Sequence, residues 1–434
     1  MAPFVNWSGS ASCNPTARAA PRSEEEVAAL VRGATRVKVV GGAHSWSDCA
    51  MTDHTLVSLD AMNRVLDIDK QRGRITVEGG VRLHALNDAL AGEGLALPIV
   101  GSIAHQTVAG LVATGTHGSS LRHGNMSAHV AAITLIDGRG DRVDIDTGDP
   151  RLPGARLALG ALGVVTRVTF RVEPAFIVAE RMEPATFDDA VGALETLAVQ
   201  NEYAKIWWLP HTDRALIFRG ERVEEPATWS ARFRTFDTHV INGLGFRAIL
   251  AFGGRFPSLI PTLNRMVALT YAKPRRAVGR SDQVLSLAMP PRHREAEWAV
   301  PLDAGPALFR GARELVQRDG HRVNFIFEAR FVPRDDTWMS PAFGRDVLHV
   351  GAYTANPSGR AAWFGAFEAL ARSLGGRPHW AKEADFTPDD VTRWYPEADR
   401  FRALACALDP NGVFHNGTER LGIGCVTRST RRAR

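Results

Sequence analysis

At 434 residues, with 45% hydrophobic and 23% charged residues, the chain has the composition of an ordinary soluble globular protein, long enough for two domains. The net charge of +5 is mostly a tail effect, since Arg428, Arg431, Arg432 and Arg434 lie beyond the last acid, Glu419. A basic disordered tail over 426–434 is expected, rather than a nucleic-acid surface. No apolar run approaches the ~18 residues of a transmembrane helix. Met1–Trp7 lacks the basic and apolar regions of a signal peptide. Cys13, Cys49, Cys406 and Cys425 are too scattered to suggest a metal site or a disulfide framework, which fits a reducing, cytoplasmic setting.

In chain order, Ser23 caps a helix, Glu26 completes a capping box, and Val27, Leu30 and Val31 form the apolar stripe. Val37–Val40 reads as a strand, followed by strands at Thr55–Leu59, Val65–Ile68 and Arg74–Glu78 and a helix over Leu83–Leu90. Thr134–Ile136 and Arg142–Ile145 flank a Gly-Asp turn, a hairpin signal, and Gly163–Val172 is a further strand. Residues 1–175 therefore read as one α+β unit, without the G-x-G-x-x-G of a nicotinamide-binding domain. Beyond it, a helix over Phe187–Val199 precedes strands Tyr203–Leu209 and Ala215–Arg219. A second helix over Gly305–Arg318 precedes Val323–Val332 and Val347–Tyr353, and a third spans Gly359–Leu374. This predicts a second α+β domain over 176–425, an antiparallel sheet with helices on one face. Glu221–Arg280 gives no clear pattern, and its Phe252–Pro257 middle reads as loop between helical pieces.

Two stretches carry the chemistry. Val37–Val40 breaks at Gly41-Gly42 and delivers Ala43, His44 and Ser45. Glycine lets the backbone lie against a ligand, and exposed amides in such a turn suit a pyrophosphate. Alone, the stretch is equally a glycine turn with a surface histidine. The second stretch, Gly101–Ser119, contains Ser102, Thr107, Gly110, Ala113, Thr114, Gly115, Thr116, His117 and Gly118. Its hydroxyls can donate to phosphate or ring carbonyls, though a tight helix crossing would use the same small residues.

Together the two stretches resemble the FAD-binding domain of flavoproteins of the vanillyl-alcohol-oxidase/p-cresol-methylhydroxylase type. Gly41–Ser45, Ser102-x4-Thr107-x2-Gly110, Ala113–Gly118 and Leu159–Thr166 are similar to the flavin-contacting segments of sugar-1,4-lactone and alditol oxidases. The resemblance implies an FAD lying on these backbones, reached by Ser102 and by the backbone at Val165, and bonded covalently to His44. Gly101 stands where this family is thought to control oxygen access, which favours molecular oxygen as acceptor and hydrogen peroxide as product.

In the second half, strand alternation puts Glu328 and Arg330 on one face. By themselves they fit a solvent-facing ion pair, and Lys382 after Gly375-Gly376-Arg377-Pro378-His379-Trp380 fits a surface lysine at a loop. In order with Trp394-Tyr395-Pro396 and Leu408-Asp409-Pro410-x-x-Val413-Phe414-x-Asn416, however, they resemble the aldonolactone oxidases along nearly the whole chain. That resemblance implies that Glu328, Arg330 and Lys382 gather over the flavin and, with Ser102, bind a sugar lactone. Arg330 would stabilise developing negative charge, Glu328 would orient it, and Lys382, expected beside another cation, would take or share the hydroxyl proton. An open-chain polyol as substrate, a non-oxygen acceptor, or flavin binding without turnover are the alternatives. His349 lies on the next strand, in a register the sequence leaves open.

Overall fold

The computed structural model describes residues 2–228, 242–287, 290–415 and 421–425. The expected basic tail at 426–434 and Asn416 lie outside them. In the first half, Val37–Val40 is the edge of a three-stranded parallel sheet, with Thr55–Ser58 in the middle and Ala17–Ala19 beyond it. The helix Glu24–Gly33 covers this sheet, burying Val27 and Val31 against Val37, Val57 and Leu59. Ser23 accepts the Glu26 N–H as expected, but the Glu26 carboxylate accepts from the Arg22 N–H instead of closing back on Ser23. The segment after the helix Ala398–Leu408 docks here too. Asp409 accepts the Val413 and Phe414 N–H groups at 2.8 Å each, and the Val413 carbonyl accepts the Val37 N–H at 2.8 Å. The C-terminal segment thus fixes the strand that leads into Gly41.

A five-stranded antiparallel sheet stands beside it, in the order Arg142–Asp146, Val130–Ile136, Val164–Arg171, Arg74–Glu78, Val65–Asp69. The helix Leu83–Gly92 packs Leu83, Leu86 and Leu90 into the same core as Ile75, Val77, Ile133 and Val168. Side chains from the C-terminal part, among them Trp338, Trp380, Tyr395 and Phe401, belong to this core as well.

The second half is built on an eight-stranded antiparallel sheet. Its order is Arg275–Arg280, Ile177–Thr186, Arg214–Val223, Tyr203–Trp208, Phe327–Val332, Val347–Thr354, Arg294–Pro301, Arg377–Pro378. Helices Phe187–Gln200, Gly305–Gln317 and Arg360–Ser373 share a hydrophobic core with Ile206, Trp208, Phe327, Ala329, Phe331 and Val350. Because side chains alternate, Glu328 and Arg330 leave from the opposite face of the strand that sends Phe327, Ala329 and Phe331 to the helices. The two helix-strand-strand units agree with the expectation from sequence, but helices are not confined to one face: Ala268 of the helix Ile260–Tyr271 packs on the other side with Trp207, Leu216 and Phe218.

Three further readings are corrected. The Phe252–Pro257 loop is absent: the helix Asn242–Arg255 runs through Gly253-Gly254, and a second helix spans Ile260–Tyr271. Gly253 is there for close packing, since a Cβ would lie 3.3 Å from Ile260 and 3.4 Å from Leu263. The strand beginning at Val323 starts only at Phe327, because the Asn324 side-chain oxygen instead accepts the Ala355 N–H at 2.9 Å. Finally, Cys406 and Cys425 form a disulfide, with Cα atoms 4.5 Å apart. Lone cysteines at that spacing carry no pattern, and only the folding-back of the C-terminal segment over the helix Ala398–Leu408 joins them. Thiol titration of the denatured, unreduced protein is expected to count two thiols, Cys13 and Cys49. A count matching all four cysteines would mean the bond does not form.

Candidate active site

The two glycine stretches meet directly. A Cβ on Gly41 would lie 2.2 Å from the Thr107 hydroxyl oxygen, and one on Gly110 would lie 2.9 Å from the same atom. That hydroxyl caps the helix Val108–Thr114 by accepting the Gly110 N–H, and the helix ends at Gly115 with φ of +69°. Only glycine at 41 lets the first turn lie against this cap. Ala43 adopts φ of +56°, and its turn is pinned by bonds from the Trp7 N–H to the Ala43 carbonyl and from the Asn6 amide to the Ser45 carbonyl.

Between these stretches and Leu159–Val165 lies an open cleft. Gly41, Gly42, Ala43, His44, Ser45, Thr107, Gly110, Ala113, Thr114 and Val165 all line it. Gly115, Thr116 and His117 do not; Thr116 instead bonds the Gln106 side chain. The residues fit a flavin dinucleotide: the walls are largely backbone and small apolar side chains, a surface suited to a large flat ligand. His44 Nδ1 is buried without a hydrogen-bond partner. Burial, with repulsion from His105 and Arg82, lowers the His44 pKa to about 4, so its ring is neutral at physiological pH and keeps a nucleophilic nitrogen.

Ser102 and Gly118 line a second, smaller cavity, and Arg330 closes it from the eight-stranded sheet. Residues expected to work together from opposite halves of the chain therefore share one space. Lys205, ion-paired with Glu180 at 3.2 Å, lines it as well, a pair that no sequence pattern announced.

Arg330 bonds Glu328 at 2.5 Å. Glu328 also accepts from the Trp207 indole N–H at 2.7 Å and the Tyr353 hydroxyl at 2.8 Å. Burial alone would raise the Glu328 pKa, but Arg330, with Lys205 and the Trp207 donor, holds it below the usual value. A buried carboxylate with three donors is a fixed anion, and a guanidinium bound to it is aimed. Gly351, opposite Glu328 on the next strand, makes room: a Cβ there would lie 2.6 Å from the Tyr353 ring.

Lys382 contradicts one expectation. Its neighbours are carboxylates, not a cation: it contacts Glu295 directly and lies 3.6 Å from Glu297, with its ammonium 4.1 Å from the centre of the Trp46 ring. The two glutamates sit on the strand Arg294–Pro301, where Glu295 faces Tyr353 and Glu297 faces Gly351. Sequence reading missed this strand, although the period-two alternation of Glu295-Ala296-Glu297-Trp298 was present to be read.

Glu297 also gathers histidines. One carboxylate oxygen contacts His117 Nε2 at 2.7 Å and His349 Nδ1 at 2.8 Å, and the His117 and His349 ring centres lie 3.9 Å apart with the planes tilted by 34°. His117, expected against the cofactor, thus ties the second glycine stretch to the substrate-side sheet, and His349 is placed beside Arg330 by strand pairing. The ligand atoms of His117, Glu297 and His349 lie within 4.8 Å of one another, but both rings contact the same Glu297 oxygen at hydrogen-bond distance, which leaves no space for an ion between them. The Lys382 ammonium already supplies positive charge to Glu297. Burial would raise the Glu297 pKa, but His117, His379 and Lys382 hold it well below its usual value.

Comparison with known proteins agrees with this geometry. A model of FAD-binding domains matches residues 15–146, and the D-arabinono-1,4-lactone oxidase model matches residues 168–420. The chain is 32% identical to L-gulonolactone oxidase of Scyliorhinus torazame, over 95% of this chain and 96% of that one. It is likewise 32% identical to L-gulono-1,4-lactone dehydrogenase of Mycobacterium tuberculosis (97% and 99% covered). It is 31% identical to D-arabinono-1,4-lactone oxidase of Eremothecium gossypii (87% and 83% covered). Among solved structures, cholesterol oxidase from B. sterolicum superposes with a TM-score of 0.78 at 17% identity, covering 97% of this chain and 96% of that one, which shows a shared fold. With an FAD domain of this architecture, an antiparallel cap and relatives of this similarity along its whole length, the chain belongs to the FAD-dependent aldonolactone oxidase family.

Proposed function

We propose that this enzyme oxidises a ring carbinol of a sugar-1,4-lactone of the gulono-, galactono- or arabinono- type, with molecular oxygen as the acceptor. The observation that carries the reading is the cavity where Ser102 of the glycine stretch meets Arg330, held by buried Glu328. Bound in the cleft, FAD supplies a two-electron acceptor for a hydride from the substrate carbon. The protein does the rest. Ser102 and Glu328 bind and orient substrate hydroxyls, Arg330 stabilises charge developing on the carbinol oxygen, and Lys382 handles the hydroxyl proton. Domain boundaries near 175 and 425 follow from the same reading, as does binding of the dinucleotide by Gly41–Ser45, Thr107, Gly110, Ala113, Thr114 and Val165, with Ser102 reaching it from the second cavity. Anaerobic mixing with a panel of lactones and polyols tests it. Lactones are expected to bleach the flavin faster than xylitol or sorbitol, and the reverse order would make the enzyme an alditol oxidase.

Oxygen as acceptor is supported by Gly101, next to Ser102, where a Cβ would lie 2.5 Å from the Thr116 methyl. Stoichiometric peroxide under air is the expected product; turnover only with an added dye would assign a dehydrogenase instead. A cytoplasmic location accords with the lack, among the described residues, of any helix long and apolar enough to cross a membrane. The Cys406–Cys425 bond runs against it, because cytosolic disulfides are rare.

Covalent attachment to His44 is supported by its neutral ring and unpartnered Nδ1 at the cleft wall. Wild-type protein precipitated with acid is expected to stay yellow. His44→Ala is expected to release its flavin to the supernatant and to lower the flavin potential. A wild-type pellet that is already colourless would show that FAD is bound without the bond.

A further inference from the structure

The Lys382 ammonium cannot itself accept a proton, so its role in the reading above needs a place for the proton it already holds. Two carboxylates adjoin it, Glu295 and Glu297, and their surroundings differ sharply. Glu297 has one oxygen occupied by two imidazoles and the other beside Lys382. Glu295 has Lys382 on one oxygen, while the other is buried without any hydrogen-bond partner. Besides Lys382, the groups facing Glu295 are Glu297 on its own strand, Tyr353 on the neighbouring strand, Arg330 one strand beyond it, and His293, whose Nε2 lies 4.0 Å away.

We propose that Glu295 is the proton acceptor behind Lys382, so that the pair acts as one base: the substrate hydroxyl proton passes to Lys382 as Lys382 passes a proton to Glu295. This rests on the reading that Lys382 faces the substrate. The balance is complete. The substrate O–H bond breaks as an N–H bond forms on Lys382, and a different N–H bond of Lys382 breaks as an O–H bond forms on Glu295. The C–H hydrogen leaves with its electron pair to the flavin, so the carbinol is oxidised to a carbonyl and the flavin is reduced by two electrons. The ammonium–carboxylate pair becomes an ammonium beside a neutral carboxylic acid.

Burial is the main reason Glu295 suits this task. It raises the carboxyl pKa to about 7, assisted by Glu297 and opposed by Lys382 and Arg330. Glu297, held as an anion, does not compete for the proton. Environments that push two neighbouring carboxylates apart separate an acceptor from a fixed charge. Glu295 acts through Lys382 and is a positioning residue. In its protonated form it cannot accept, so flavin reduction is expected to rise as pH increases through about 7.

Stopped-flow reduction of the holoenzyme by lactone across pH is the test, alongside infrared titration without substrate. Glu295→Gln is expected to reduce the rate roughly 10²–10³-fold at pH above the limb, with the limb abolished and KM little changed. It is also expected to remove a buried carboxylic acid band that grows in wild type as pH falls through about 7, leaving the Asp335 band near 6. A variant keeping the wild-type rate and limb, or keeping that band, overturns the proposal. Should Glu295→Gln not retain FAD, Lys382→Arg decides: a guanidinium preserves the ion pair but does not release a proton, so undiminished reduction overturns the relay and a comparable loss supports it. Failure of every lactone to reduce the wild-type flavin would sink the substrate reading alone, and the infrared titration would still decide whether Glu295 takes the proton.

Discussion

Arg330→Met is expected to slow reduction of the bound flavin by substrate about 10²–10³-fold, the usual scale for removing one aimed donor from an oxyanion site. The guanidinium lies in the cavity shared with Ser102 and is fastened to Glu328. Its loss removes charge stabilisation where the carbinol oxygen sits. It also strands Glu328, a buried carboxylate left with only the Trp207 and Tyr353 donors. Breaking a buried pair on one side costs about 3–5 kcal/mol, so a drop in Tm should accompany the loss of rate. The double variant Arg330→Met/Glu328→Gln separates the two effects: it should recover much of the stability and none of the rate. Reduction by Arg330→Met at the wild-type rate, with flavin content intact, would remove Arg330 from the chemistry.

Gly41→Val is expected to yield mostly colourless protein. The added Cβ would lie 2.2 Å from the Thr107 hydroxyl oxygen and 3.4 Å from its Cβ, so either the turn or the helix cap must move. Moving Thr107 sacrifices its bond to the Gly110 N–H, a cap of about 1 kcal/mol, and displaces the backbone that lines the cleft. Moving the turn displaces His44. Either shift separates surfaces that have to close on one ligand. The ratio of flavin to protein absorbance checks this, and a fully loaded Gly41→Val variant would show that the two glycine stretches do not jointly hold the cofactor.

The contrast between these sites explains what was readable in the sequence. Glycine stretches with a following histidine are local signals, because a backbone that must approach a ligand has few alternatives to glycine. Glu328 and Arg330 were readable from strand period and family order. Glu295 and Glu297 were not read, although they adjoin Lys382, because a buried carboxylate looks like a surface one in sequence. What distinguishes them is the three-dimensional neighbourhood: an unpartnered oxygen at Glu295, two imidazoles at Glu297. His117 illustrates the same limit, since its position in the glycine stretch suggested the cofactor while its side chain turns to Glu297. The Cys406–Cys425 bond and the helix through Gly253-Gly254 were hidden for a related reason, as both depend on what packs nearby.

One measurement reaches the centre of the account: the visible spectrum of the purified protein, recorded anaerobically before and after addition of a gulono- or arabinono-1,4-lactone. The account predicts flavin bands that bleach on mixing. A protein that is colourless and cannot be loaded with FAD, or whose flavin stays oxidised with every lactone tried, would contradict it.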